Sequence, residues 1–173
     1  MKLSRAAFLY LAAALALLTA FSCSSGKPRA ATYAIGQKVQ VGKLFYQVSE
    51  AQWITELSGA KQPPKNRILQ LQLTVTNGGA APASLPFLRL IDAKGNEIIE
   101  VSELENNPRW LGALRRMQPA QTEEGFVYFD VPVAAYKLEV IDNSNAEDER
   151  TAFIEIPASL APPQPVPGGA TGI

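Results

Sequence analysis

The chain has 173 residues, with sixteen Lys and Arg balanced by sixteen Asp and Glu, one cysteine and no histidine. That length suits one domain with a single core, and the even charge without a basic block argues against nucleic acid as a partner. Without histidine, serine–histidine and cysteine–histidine hydrolases are excluded in their usual forms, zinc and copper lose their commonest ligand, and a lone cysteine cannot form an intrachain disulfide.

Lys2 and Arg5 open the chain, and Ala6 to Thr19 form an apolar run shorter than the roughly 20 residues of a membrane-spanning helix. Ala20-Phe21-Ser22 then stands directly before Cys23. This arrangement resembles the lipobox of bacterial lipoproteins. The resemblance implies that residues 1–22 are a signal peptide and that Cys23 becomes the diacylated first residue. Ser24 after it is similar to an outer-membrane sorting signal, in a cell with two membranes. Ala20 occupies the place where lipoboxes usually carry leucine, so plain secretory cleavage leaving a free thiol is the alternative. Lys2 and Arg5 fall within the leader, which leaves fourteen basic and sixteen acidic side chains in the mature chain. With no polybasic patch, membrane attachment is expected from the acyl chains on Cys23.

Residues 23–32 are small and polar and read as a flexible tether. The domain is expected over 33–156. Short strands fit Gln37–Val41 and Leu44–Thr55. In Arg67–Asn77, Leu69, Leu71, Leu73 and Val75 alternate with Gln70, Gln72, Thr74 and Thr76, the period of a strand with one buried face. Leu85–Asp92 and Glu97–Val101 flank Ala93-Lys94-Gly95-Asn96, which reads as a hairpin turn. Only Glu103 to Arg116 looks helical, and Pro108 divides it. Gly125–Pro132 alternates Val127, Phe129 and Val131 with Phe126, Tyr128 and Asp130. Strands at Tyr136–Ile141 and Ala152–Ile156 complete about eight, at spacings that point to an all-β, antiparallel two-sheet sandwich. Pro157 to Ile173 is rich in proline and glycine and reads as a disordered tail.

Three stretches carry a second resemblance. They are Ile35-Gly36 through Tyr46-Gln47-Val48; Leu71 through Gly79, with Leu90-x-Asp92-x-x-Gly95 after it; and Leu114 to Pro132, ending Gly125-Phe126-Val127-Tyr128-Phe129-Asp130-Val131-Pro132. Together they resemble a bacterial extracellular domain family of unknown function with a telokin-like, immunoglobulin-like sandwich, often found behind lipoprotein leaders. Pro119-Ala120 stands where that family usually shows proline–glycine. The resemblance covers about residues 33–142. It implies an immunoglobulin-like fold and an envelope location, and it brings no catalytic residues.

Candidate chemistry is sparse. Asp142, Glu147, Asp148 and Glu149 offer oxygen ligands of the kind calcium takes, but without EF-hand spacing they read as a solvated loop. Glu97, Glu100, Glu103 and Glu105 are the only carboxylates that suggest paired acid–base work on a glycan. Asp130 reads as a brace for a neighbouring loop. Binding is expected at Trp110, Phe126 and Tyr128, whose rings anchor partners or stack on sugars when exposed, with Arg115 and Arg116 beside them to grip an acidic partner. Trp53 and Trp110 alternatively pack the ends of the sandwich. No metal or cofactor is expected. The reading is a lipid-anchored, non-enzymatic module of the cell envelope that binds a protein or envelope polymer. An envelope-glycan enzyme or accessory, and a structural or chaperone module with an exposed edge strand, are the alternatives.

Overall fold

The computed structural model describes residues 30–112, 115–142 and 150–160, and among them are eleven strands and no helix. The period-two stretch forms β4 (Arg67–Asn77), whose Leu69, Leu71, Leu73 and Val75 are all 0% exposed. Gln70, Gln72, Thr74 and Thr76 occupy the other, partly solvated face. β4 pairs antiparallel along its length with β3 (Leu44–Ile54) on one side and β9 (Thr122–Val131) on the other. β2 (Val39–Val41) joins the free edge of β3 and completes a four-stranded sheet.

The second sheet has β1 (Thr32–Ala34), β11 (Arg150–Ile156), β10 (Tyr136–Asp142), β6 (Arg89–Ile91) and β7 (Glu97–Ile99), in that spatial order. Its inner residues Leu90, Leu138, Val140 and Ile154 pack against those of β4 in one core. The architecture is therefore the expected all-β, two-sheet antiparallel sandwich. One pairing departs from it, because β1 runs parallel to β11. These two strands lie at opposite ends of the domain's chain, so no hairpin constrains their relative direction.

Two polar contacts fasten the sheets at one end. The Tyr46 hydroxyl, fully buried, donates to the Ile141 carbonyl at 2.7 Å. The buried Asp142 carboxylate accepts the Lys43 N–H at 2.5 Å. Gly42, at φ 57°, is required there, since a side chain would collide with that carboxylate. Asp142 thus holds the β2–β3 turn, which corrects its reading as part of a solvated loop. Glu147, Asp148 and Glu149 lie outside the described residues.

The segment expected to look helical has no helix among its described residues and runs through bends and turns, with Asn106 at φ 54°. Residues 100–112 leave β7 and cross to the edge of β9, where Val101 N–H donates to Tyr128 O, Phe126 N–H to Arg109 O, and Leu111 N–H to Phe126 O, at 2.7–3.0 Å. Pro108 disfavours a helix, and the unpaired groups of an edge strand offer this strap hydrogen bonds instead. A Cβ at Gly125 would lie 2.5 Å from the Arg109 carbonyl, so the close approach needs glycine.

Other differences are local. The strand expected over 85–92 is shortened to β6, because Leu85 instead donates its N–H to Arg115 O and Pro86 follows it. A two-stranded ribbon of β5 (Ala83–Ser84) and β8 (Arg116–Met117) was not anticipated. β1 takes in Thr32, from the stretch read as tether, and Ala158 and Leu160 of the stretch read as tail make contacts. Ala158 O accepts the Trp53 indole N–H at 3.2 Å, and Leu160 packs on the core. The leader, Cys23 and the rest of the proline-rich tail lie outside the described residues.

Leu71→Ala is expected to lower unfolding free energy by about 2–5 kcal/mol, as a core truncation. Thr74→Ala, on the opposite face of the same strand, should stay within about 0.5 kcal/mol. Urea unfolding of both variants checks the face assignment, and equal losses would contradict it.

Candidate functional site

The aromatic candidates converge on the outer face of β9. Phe126 and Tyr128 stack at 6.1 Å between centroids, tilted by 46°. The Arg109 guanidinium lies 4.3 Å above the Phe126 ring, a cation–π contact. Trp110 forms a bridge with Phe126, and its indole N–H is buried without a hydrogen-bond partner. Tyr128 is only 4% exposed, which corrects its reading as an exposed anchor. Alternation places its ring on the outer face correctly, but the strap covers it. Arg115 and Arg116 are not part of this cluster. Arg115 pairs with Glu123 at 2.6 Å, and Glu123 shares the parity of Val127 rather than Phe126. Arg116 is exposed on the ribbon strand β8. Arg109, next to Trp110 in the chain, is the cation that joins it.

A larger concavity lies at one end of the five-stranded sheet. It is an open trough of about 880 Å³. One wall is Ala34 and Ile35, where β1 ends, and the other is the β6–β7 hairpin from Ile91 to Gly95. Tyr136, Lys137, Glu155, Ile156 and Pro157 line the floor between them. Ala34, Glu155, Lys137 and Ile91 lie in one cross-strand row, so the walls stand three strand spacings apart, roughly 14 Å.

The hairpin wall is held by its own side chains. Asp92 accepts the N–H groups of Lys94 and Asn96 and the Asn96 side-chain amide, each at 2.8 Å. These bonds, led by those from Asn96, hold its carboxyl below the usual range. Gly95, at φ 85°, supplies the left-handed turn position expected of it. Tyr136 donates its hydroxyl to the Pro132 carbonyl at 2.8 Å, and burial, then the Asp92 charge, push that hydroxyl's pKa up.

The carboxylates suggested for acid–base work are dispersed among separate partners. Glu97 pairs with Arg89 at 3.3 Å and Glu103 with Lys61 at 2.8 Å. Asp130 braces a loop as expected, accepting the N–H groups of Lys65 and Asn66 at 2.8 and 2.7 Å. Glu103 and Asp130 line a second cleft of about 340 Å³. Among the described residues no three His, Cys, Asp or Glu side chains are grouped to hold a metal.

Glu100 is different, being 4% exposed inside the domain. Its Oε1 accepts the Leu88 N–H at 2.9 Å, while Oε2 is buried without a partner. Burial pushes its carboxyl up to about 7, against the opposing effect of the Leu88 bond. Glu100 also raises Tyr46, after burial and Asp142 have done so.

A family model described as Domain of unknown function (DUF4352) matches residues 33–151. Among solved structures, the chain is similar to the yjhA protein of Bacillus subtilis, at 17% identity and a TM-score of 0.59, over 72% of this chain and 98% of that one. It is also similar to a candidate lipoprotein of the same organism, ycdA, at 13% identity and a TM-score of 0.58, over 70% of this chain and 38% of that one. A secreted protein of Mycobacterium tuberculosis, MPT63, aligns at 12% identity and a TM-score of 0.52, over 75% of this chain and 98% of that one. At these identities the likeness is one of fold. Comparison with curated proteins gives no match.

Glu100 carries a pH dependence of known sign. Its folded pKa of about 7 exceeds its ordinary value of 4.5, so the stabilisation linked to its protonation is complete below 4.5 and is lost as pH rises through 7. That loss amounts to about 3 kcal/mol. Urea unfolding from pH 4 to 8 should show the decline in the native chain and a flatter profile in Glu100→Gln. Identical profiles would contradict the assignment.

Proposed function

The chain belongs to the DUF4352 family, and from that premise we propose that it is a lipid-anchored binding module of the cell envelope with no catalytic role. The observation that carries this reading is the position of Cys23, the only cysteine, behind an apolar leader and nine residues ahead of β1. Nine residues reach at most about 30 Å, enough to hold a compact sandwich just off a bilayer. The fold of a secreted mycobacterial protein and of a candidate lipoprotein supports an extracytoplasmic place. Ser24 favours the outer membrane where a cell has two. The immunoglobulin-like description of the sandwich belongs to the same reading.

A binding role is favoured over catalysis by what the polar side chains do. Glu97, Glu103 and Asp130 are tied to partners that shape loops and strands. A strand-accepting chaperone role is disfavoured because the strap already bonds to β9, the longest edge strand. The cluster of Trp110, Phe126 and Arg109 remains available as a contact surface for an envelope protein or polymer, through its half-buried rings.

Cys23→Ser is expected to move the protein from the carbonate-washed membrane fraction to the soluble envelope fraction, and to abolish incorporation of labelled palmitate. Retention of the variant in the membrane fraction would contradict lipid anchoring.

A further inference from the structure

We propose that the outer face of the four-stranded sheet, from β3 across to the strap, binds an uncharged, hydroxyl-rich glycan. This rests on the binding-module reading and deepens it, naming the partner's chemistry and the surface around Trp110, Phe126 and Arg109 that receives it. Glu50 of β3, Gln72 of β4, Phe126 of β9 and Trp110 of the strap form one cross-strand row. The row spans three strand spacings, roughly 14 Å. Gln52 and Gln70 lie beside it on one side, and Gln47, Thr74 and Glu124 on the other. The surface thus has an amide half on β3 and β4 and an aromatic half on β9 and the strap. All four of these amides, and the Phe126 and Trp110 rings, are half-buried and reach solvent.

The side-chain types decide the class of partner. A glycan hydroxyl both donates and accepts a hydrogen bond. A glutamine amide or threonine hydroxyl answers it in both senses, whereas an ammonium only donates and a carboxylate only accepts. The outward side chains of β4 from 70 to 76 are Gln70, Gln72, Thr74 and Thr76, with no charge among them. The side chains of Gln52, Gln70 and Thr74 make no hydrogen bond to another described residue. Gln72 donates to Glu124 at 2.6 Å, which fixes its amide and leaves its oxygen to accept. Sugar rings also present C–H faces, and Trp110 and Phe126 give these an apolar neighbour beside the amides. The Arg109 guanidinium, 4.3 Å above Phe126, covers part of that ring and sets N–H donors at its margin.

Other partners fit this surface less well. Its two carboxylates, Glu50 and Glu124, are offset by Lys38 over Phe45 and Arg109 over Phe126. No net charge therefore draws a polyanion or a basic peptide. A protein partner with an apolar interface centre would bury the Gln52 and Gln70 amides unsatisfied, a cost that a hydroxyl-bearing ligand avoids.

The test is a printed array of cello-, chito-, manno- and xylo-oligosaccharides beside anionic oligogalacturonate and heparin fragments, probed with the full chain. Titration calorimetry then follows the neutral oligosaccharide that binds most strongly. Saturable binding of a neutral oligosaccharide at one per chain is expected. Gln52→Ala combined with Gln70→Ala should weaken it about tenfold without changing the melting temperature, through lost hydrogen bonds. Trp110→Ala should weaken it as well, and Lys94→Ala, on the β6–β7 hairpin of the other sheet, should leave it unchanged. If Trp110→Ala disturbs folding, the glutamine pair decides alone. The proposal is overturned by binding of no neutral oligosaccharide, by preference for the anionic fragments, or by affinity that survives the glutamine substitutions. Sugar binding is read without a membrane, so a failure here is separate from a failure of Cys23 anchoring. Capture of a protein through the Arg109 cluster, with no sugar bound, would keep the binding-module reading and overturn the glycan.

Discussion

The domain is organised by what β4 requires. A strand bonded along both edges has no backbone groups left for water, and its leucine-rich face must be dry. Leu69, Leu71, Leu73 and Val75 therefore demand a second sheet about 10 Å away, and β6, β10 and β11 supply it. No disulfide is available, so this packing and the Tyr46–Ile141 and Lys43–Asp142 contacts hold the sheets together. Asp142 is buried because it satisfies a turn amide, which water would otherwise have to do.

Closing the sandwich then decides where function can reside. On one side the chain passes from β1 directly to β2 on the opposite sheet. On the other it passes from β7 through the strap to β9. The strap occupies the β9 edge and covers Tyr128, and Glu100 sits where it departs from the sheet, buried with one unsatisfied oxygen. Such a group costs stability when ionised, so the crossing is the point at which the fold responds to pH. A broad concavity lies at one end, where the β6–β7 hairpin and the β1 turn flank the floor formed by β10 and β11.

Much of this was legible in the sequence. The β4 alternation identified its buried face residue by residue, Gly95 marked its hairpin, and Asp130 braces the loop it was expected to brace. These are local signals, read from a strand period or a turn. What was not legible depended on non-local contact. Alternation told that Tyr128 points outward, but not that residues 100–112 lie over it. Arg115 followed the aromatic candidate in sequence yet turns to Glu123, while Arg109 reaches Phe126. The trough draws on four separate chain segments, none with a motif of its own. The only hint was an excess of alanine and isoleucine at strand ends beside Asp92 and Glu155. The DUF4352 match agrees with the resemblance seen over residues 33–142 and is silent on every one of these contacts.

Photocrosslinking in the cell tests the central claim most directly, that this is an envelope-tethered module that binds through the aromatic cluster on the outer face of β9. A benzophenone amino acid placed at Arg109 samples that cluster, and one at Lys94 samples the distant β6–β7 hairpin. The account predicts an adduct with an envelope component from position 109 only. An adduct from position 94 with none from 109 would contradict it.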